Sequence, residues 1–368
     1  MNEAVTNLSW SQVCAWRLKG QFLLKRASTG ELLDVVSRLG GVQAQLASAA
    51  EQALLARIEG FSRAEAGKAL WEQRSLMKTW AMRGTLHLLN PADLALHVAA
   101  RGAFQPRRPP SYYSYHGVTP EALEAILEGV PRALSERPMT REQLSVAVAE
   151  GAGMPDLREV LLSGWGALLK PSAFRGDLCF GPNQGQNVTF VRPDKWIGTW
   201  RADMDPQDAM REVARRYLRT YGPANPADFA RWWGIEASRG KTVFKWLEEE
   251  LTPVSVEGWK AWCLGETLEA IQSMDSPSSV RLLPQFDAYT LGTPRDNTYV
   301  IPEKHRTRIY RPQGWISAVV LVDGRMRGIW ELKGKGELKV EMFDEMTEEI
   351  QGGIHQEVER LGKMDGAV

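Results

Sequence analysis

The spacing of apolar residues divides the chain into a long helical part and a shorter β-rich end. Over Leu8–Leu24, apolar Val13, Trp16, Leu18, Phe22 and Leu23 fall at roughly helical intervals behind Ser9, a natural N-cap. Glu31–Leu39 predicts a second, short helix, which Gly40 and Gly41 stop, as glycine commonly does past a helix end. Ala47–Ile58 and Arg63–Trp71 continue the helical rhythm. It changes over Lys78–Leu89, where Gly84 interrupts and Thr85–Leu89 alternates like a short strand. Pro91 and Asp93 open another helix. Residues 102–117, rich in proline and glycine and carrying Arg107 and Arg108, read as a linker or exposed loop.

A clearer unit follows. Glu121–Leu134 is an amphipathic helix. A turn at Arg137–Met139 leads into a helix where Thr140 and Gln143 have capping-box spacing, and Leu157–Lys170 is a third helix. Leu178–Phe180 and Asn187–Val191 are short strands around the turn-rich Gly181–Gln186. Helix, turn, helix, helix, hairpin is the order of a winged helix, which sets a helix in the DNA major groove and a wing on the backbone or minor groove. The order recurs in Asp208–Thr220, Asn225–Trp233, Ser238–Leu251 and strand-like Val254–Cys263, about 80–85 residues later. The first hundred residues follow the plan less closely. Beyond residue 265, Ser279–Phe286, Trp315–Val322, Met326–Lys333 and Leu338–Phe343 are strand candidates. Asp323-Gly324 supplies the positive φ angles of a tight hairpin turn, and Glu345–Leu361 is a closing helix. The expected fold is α+β: three tandem winged-helix modules (1–117, 118–200, 201–264) and a small β-barrel or sheet (265–368).

Composition agrees. A chain of 368 residues exceeds what one core of roughly 250–300 residues holds. Lysine plus arginine, 45, equals aspartate plus glutamate, 45, which argues against a small binder that holds nucleic acid by bulk charge but leaves room for a local basic cleft. The positive segments are 101–108, 211–219 and 304–311; acids gather at Glu248–Glu250 and Glu341–Glu349. Cys14, Cys179 and Cys263 lie too far apart for a zinc or redox motif and point to a reducing compartment. No apolar run approaches the ~20 residues of a spanning helix, so a cytoplasmic, nucleoid-associated protein without membrane contact is expected. The 14 tryptophans are expected at module interfaces or groove walls. The five histidines lack metal spacing, and neither a metalloprotease, a hydrolase-elbow, a Walker nor a dinucleotide motif occurs. Gly334-Lys335-Gly336 lies between strands and is rejected as a phosphate loop. No cofactor and no metal are expected.

Three segments carry a resemblance: Gly40-Gly41-Val42-Gln43-Ala44-Gln45, Trp80-Ala81-Met82-Arg83-Gly84-Thr85-Leu86-His87, and Leu282-Leu283-Pro284-Gln285-Phe286-Asp287-Ala288-Tyr289-Thr290-Leu291-Gly292. Together, in this order over most of the chain, they resemble the AlkZ/YcaQ family of winged-helix DNA glycosylases. The resemblance implies three winged helices and a C-terminal β-barrel around a concave DNA surface, excision of alkylated purines and, in some members, unhooking of interstrand crosslinks. Gln43 and Gln45 match the Gln-x-Gln form of the catalytic motif, associated with resistance to a DNA-crosslinking natural product; the carboxylate of the other branch is absent. The implied partner is double-stranded DNA carrying alkylated purines or crosslinks, bound by a monomer.

The chemistry has its own logic. N7- or N3-alkylation makes the purine cationic, so the base leaves without protonation. The transition state resembles an oxocarbenium ion, as in glycoside hydrolysis. A neutral amide orients a water through its carbonyl oxygen but cannot act as a true general base. Such a site is selective for cationic lesions, and water as nucleophile leaves the strand uncut. Positions i and i+2 share a face only in extended backbone and diverge by about 200° on a helix. If Gln43 and Gln45 serve one site, the segment after Gly41 is extended, a turn, or a helix entry. Arg83, His87, Arg107, Arg108, Lys304, His305, Arg306, Arg308 and Arg311 are candidate DNA contacts, 304–311 as a strand or loop lying on phosphates with Tyr310 near a base or sugar. Arg211, Arg215, Arg216 and Arg219 are expected as an exposed helix face, and Asp287 and Tyr289 as a structural corner. The alternative function is a non-enzymatic DNA-binding regulator or drug-binding resistance protein; a nuclease lacks a carboxylate cluster with metal spacing.

Overall fold

The computed structural model describes residues 5–104, 108–201, 203–333 and 337–364. The chain is mixed α and β and divides into two compact units, one of Met1–Ala66 with Arg211–Val368, the other of Gly67–Met210.

In the second unit, helix Pro120–Ala133 buries Leu123, Ile126, Leu127 and Val130, spaced three or four apart, and Thr119 caps it by accepting from the Ala122 N–H at 3.1 Å. The capping box expected at Thr140 is present: its hydroxyl accepts from Gln143 N at 3.3 Å, and its N–H donates to Gln143 Oε1 at 2.9 Å. Strand Met139–Thr140, helices Arg141–Ala152 and Leu157–Leu162, and hairpin Cys179–Gln184/Asn187–Val191 follow. Strands of this unit pair antiparallel in the order Leu86–Leu89, Met77–Trp80, Cys179–Gln184, Asn187–Val191, Met139–Thr140. The segment read as a linker contains helix Pro110–His116: proline at the first position has no N–H to lose, and Gly117 in left-handed conformation ends it.

Helix Pro206–Tyr221 enters the first unit at Arg211, and helices Pro226–Trp233 and Ala237–Trp246 follow before antiparallel strands Leu251–Val256 and Trp259–Leu264, joined on one edge by parallel Thr6–Leu8. The single strand-like stretch expected at 254–263 is thus a hairpin. Glu257 and Gly258, with φ of 47° and 91°, form the turn that alternation alone hides. Farther on, Val280–Leu283, Val319–Val322, Arg325–Lys333 and Glu337–Met342 pair antiparallel in chain order. The turn at Asp323-Gly324 has the expected positive φ values, 52° and 80°. The sheet is open, and the barrel alternative is corrected. Four strands fall short of the roughly eight that close around packed side chains, and helix Glu348–Met364 instead covers one face, packing Ile350 and Ile354 on Leu282, Val320 and Trp330. On the other face Leu283, Val319, Leu321 and Met326 pack with Cys14 and Leu18 of helix Trp10–Gly20. No helix among the described residues is long and apolar enough to cross a membrane.

Candidate active site

The Gln-x-Gln segment is held at both ends. Helix Leu32–Leu39 stops in a Schellman arrangement: Gly40, φ 73°, donates to Ser37 O at 3.0 Å and Gly41 to Val36 O at 2.9 Å. Its last carbonyls, Arg38 and Leu39, accept from the Thr220 and Tyr221 hydroxyls at 2.9 and 2.8 Å. Val42–Gln43 is then extended, the chain bends at Gln45–Leu46, and helix Ala47–Leu55 begins. Val42 and Ala44 are buried, whereas Gln43 is half-buried and Gln45 exposed. Gln43 and Gln45 are thus the less buried positions of the segment, alternating with buried Val42 and Ala44.

Beyond that helix lies a buried ion pair. Arg57 Nη1 and Nη2 donate to Asp287 Oδ2 and Oδ1, both at 2.8 Å, with both side chains fully buried. Arg57 Nη1 also donates to Ala53 O at 2.9 Å, and Asp287 Oδ1 accepts from the Tyr289 N–H at 2.8 Å. The Tyr289 hydroxyl donates to Gly324 O at 2.8 Å. Asp287 and Tyr289 form a structural corner, and the fork–fork pair ties the helix following Gln45 to the C-terminal sheet's connections.

In the Gly67–Met210 unit, Ala81–Thr85 is a tight loop between strands Met77–Trp80 and Leu86–Leu89. Arg83 has φ 56°, a left-handed conformation that costs of order 1 kcal/mol for a non-glycine residue, and Gly84 follows at φ 68°. His87 is 1% exposed. Its Nδ1–H donates to Thr85 O at 2.9 Å, leaving the Nε2 lone pair to accept from Arg83 Nη2 at 3.4 Å. Burial, then the neighbouring Arg83 charge, holds the imidazole well below its usual pKa, so it is neutral. His87 supports Arg83 from within and, so buried, presents no ring to solvent. Arg101 stacks on Phe174 at 3.8 Å and donates to Ala81 O. Burial lowers its pKa to about 10. Arg101, the first residue of the positive segment 101–108, is thus an internal brace of the loop. Arg108 is half-buried; Arg107 lies outside the described residues, as does Gly334-Lys335-Gly336.

The run Lys304–Arg311 departs from expectation. It forms two helical turns, Glu303–His305 and Arg306–Ile309, because Ile309 and Ile301 anchor it in the core, and is neither strand nor extended loop. His305 stacks on Phe343 at 4.1 Å, and Arg308 pairs with Glu341 at 2.6 Å. Arg306 is half-buried, while Lys304 and Arg311 are exposed. Tyr310 does not turn to a ligand: its hydroxyl donates to Thr290 O at 2.8 Å, and burial raises its pKa. The positive and acidic segments meet in local pairs. Arg215 pairs with Glu250 at 2.7 Å, Arg219 with Glu266 at 2.8 Å and Arg216 with Glu212 at 3.0 Å, so the basic segment 211–219 and the acids near it neutralise one another locally.

Residues 36–364 match the family described as DNA glycosylase AlkZ-like. The chain belongs to this family of DNA glycosylases. It is 37% identical over 362 residues to an interstrand DNA cross-link repair glycosylase of Streptomyces sahachiroi, covering 97% of each chain. Its fold is similar to the solved structure of Streptomyces sahachiroi DNA glycosylase AlkZ, with TM-score 0.89, 36% identity and 98% of each chain covered. The glycosylase reading stands over that of a regulator. Among the glycosylase's described residues no group of three histidine, cysteine or acidic side chains is placed to hold a metal. Gln43 and Gln45 lie in one unit, two residues apart in the chain, and Arg83 and His87, 3.4 Å apart at Nη2 and Nε2, lie in the other. Sequence reasoning missed Arg57, whose one signal is a lone charge beside Ile58 at the end of an apolar helical run.

Proposed function

We propose that this glycosylase hydrolyses the N-glycosidic bond of cationic N-alkylpurines in double-stranded DNA and unhooks interstrand crosslinks made through such purines. The crosslink substrate is suggested by the name of the Streptomyces sahachiroi relative. The observation that carries the reading is the extended Val42–Gln43 segment, with Ala44 buried and both glutamines less buried ahead of a helix. Gln43 and Gln45 orient the attacking water through their carbonyl oxygens. The departing base already carries the positive charge, so no side chain need donate a proton. We read the element order as three winged-helix modules with an open sheet in place of a barrel, at the boundaries 117, 200 and 264, acting as a monomer. Arg83, Arg108, Lys304, Arg306 and Arg311 contact phosphates, with His87, His305 and Arg308 behind them.

The test is single-turnover excision of 7-methylguanine from duplex DNA, read as heat-labile abasic sites. Gln43→Ala and Gln45→Ala each lower the rate by about 100-fold, the scale of a misplaced reactant, while duplex affinity stays within about twofold, since amides carry none of the phosphate attraction. Wild-type rates in both variants would remove the assignment. Excision of uracil, a neutral base, stays undetectable.

A further inference from the structure

Outside the Gln-x-Gln segment, one cavity combines features the excision chemistry does not use. It has a volume of about 210 Å³ and is lined by Gln285, Arg311, Trp315, Glu331, Lys339 and Glu341 among others. Its floor is the part of the C-terminal sheet where Glu331 lies opposite Lys339 and Ile329 opposite Glu341. Exposed Glu337, Lys339 and Glu341 alternate with half-buried residues along the edge strand. Trp315 is 38% exposed, the most exposed tryptophan among the described residues. Two left-handed residues flank it, Gln313 at φ 60° in the preceding turn and Phe286 at φ 58°, whose ring meets the indole edge-on at 5.1 Å. These contacts and turns fix where the solvent-facing indole stands at the cavity wall. The volume lies below the 300–1,000 Å³ of drug-sized pockets and suits one ring system.

The charges select the ring. A flat cation gains from the indole face, and Glu331 and Glu341 offer acceptors. Glu341 receives Arg308 and Glu331 also has a partner, but a carboxylate has about four acceptor sites and each keeps some to offer. Arg311 and Lys339 make no ion pair among the described residues, and Arg311 is exposed at the rim, where it can take a phosphate.

We infer that this cavity is a second nucleotide site, distinct from the glutamines, which takes an N7-alkylated purine nucleotide: the cationic ring on Trp315, its amino edge on the Glu331 and Glu341 carboxylates, its phosphate on Arg311. The inference rests on the reading that cationic alkylpurines are the substrate class. Two sources share this chemistry, the extrahelical lesion before excision and a free alkylated nucleotide, and they separate by probe.

The test is calorimetric titration of the full chain with 7-methylguanosine monophosphate, guanosine monophosphate and 7-methylguanosine, in mildly acidic buffer where the N1 proton is retained. Expected are binding of the methylated nucleotide, at least tenfold weaker binding of the unmethylated one, and a loss of about tenfold (1.4 kcal/mol) in Trp315→Ala. Arg311→Ala weakens the nucleotide but not the nucleoside, which keeps the proposal testable if Trp315→Ala unfolds. Equal affinity for methylated and unmethylated nucleotides, no binding, or indifference to both variants overturns it. Excision of 7-methylguanine from duplex DNA is measured alongside. Excision without nucleotide binding defeats the cavity alone; nucleotide binding without excision supports the cavity and defeats the proposed activity. A Trp315→Ala variant slower on duplex lesions assigns the site to the extrahelical lesion, and one with wild-type excision assigns it to the free nucleotide.

Discussion

Asp287→Ala tests what holds the helix behind Gln45 in place. The substitution removes two charge-assisted bonds of 2.8 Å and the acceptor of the Tyr289 N–H, and leaves the Arg57 guanidinium buried, with the Ala53 carbonyl at 2.9 Å still accepting from it. With both side chains fully buried, water cannot replace the lost acceptor, and the cost is that of an orphaned internal charge, about 3–5 kcal/mol. Removing both charges tells a different story. Arg57→Met with Asp287→Leu orphans no charge, only the Tyr289 N–H at about 1–3 kcal/mol, so the double variant sits within about 3 kcal/mol of wild type and above the single variant. The assay is urea unfolding of the full chain followed by circular dichroism, with hydrogen exchange over Ala47–Leu55 to show where the loss falls. Exchange in that helix rises in Asp287→Ala and recovers in the double variant, and the excision rate follows it, because Gln45 lies two residues before the helix start. An Asp287→Ala cost below about 1 kcal/mol, or a double variant worse than the single, would falsify the account.

Other outcomes follow from the same geometry. His87 is held neutral in the fold with its pKa depressed, so the unfolded chain binds the extra proton first. Its contribution is intact above about pH 6.5 and is lost as pH falls below that, at up to about 1.4 kcal/mol per unit. The difference in stability between wild type and His87→Asn, which cancels the carboxylates common to both, should therefore shrink as pH falls below that point; a constant difference contradicts it. Arg101→Met loses the Phe174 stack and the bond to Ala81 O, costing about 2–3 kcal/mol in denaturant unfolding. Gly324→Ala meets Cys14 Cβ at 2.6 Å from a position with φ 80°, and overpacking plus left-handed strain lowers stability by at least about 2 kcal/mol. Arg219→Ala, by contrast, breaks one surface pair with Glu266 and shifts stability by no more than about 1 kcal/mol.

The helices and hairpins were legible where local chemistry decided them. Thr140 with Gln143 marked a helix start, Gly40-Gly41 a stop, and Asp323-Gly324 a turn, because each acts through its own neighbours. The two-residue spacing left the glutamine segment as extended, a turn or a helix entry, and the chain is extended at Val42–Gln43 and bends at Gln45 ahead of a helix. What escaped depended on partners distant in sequence. Nothing near residue 57 says that its charge meets Asp287, 230 positions away. Nothing near His87 says that its ring is buried, since alternation in a short strand leaves open which face is covered. The basic run 304–311 looked extended because its alternating charges mimic a strand period, whereas Ile301 and Ile309, eight residues apart, fit helical turns docked at both ends. The hairpin at Glu257-Gly258 hid behind the expectation of one strand, since glutamate is a weak turn signal.

The fate of the basic residues also sets how this glycosylase holds DNA. Of its 45 lysines and arginines, Arg17, Arg57 and Arg101 are committed to the interior, bonded to Pro223 O, Asp287 and Ala81 O. Arg215, Arg216, Arg219 and Arg308 are held by acids, and drawing such a residue onto a phosphate exposes the carboxylate it leaves, so the net gain is small. Of the proposed contacts this leaves Arg108, Lys304, Arg306 and Arg311 without an acid partner among the described residues, while Arg83 is engaged by His87 and counts only if it releases that contact. Four or five phosphate contacts release that many counterions, and log K for duplex binding should fall with log salt at a slope of about −4. A protein gripping through a broad basic groove would reach about −7 to −9 on the same relation. Affinity would then come substantially from the lesion and from shape, and undamaged duplex should be bound weakly at physiological salt. Fluorescence anisotropy against a salt series on lesion-containing and undamaged duplexes measures both. A slope steeper than about −7 would show that the paired arginines do release their acids on DNA, and that local neutralisation does not limit the grip.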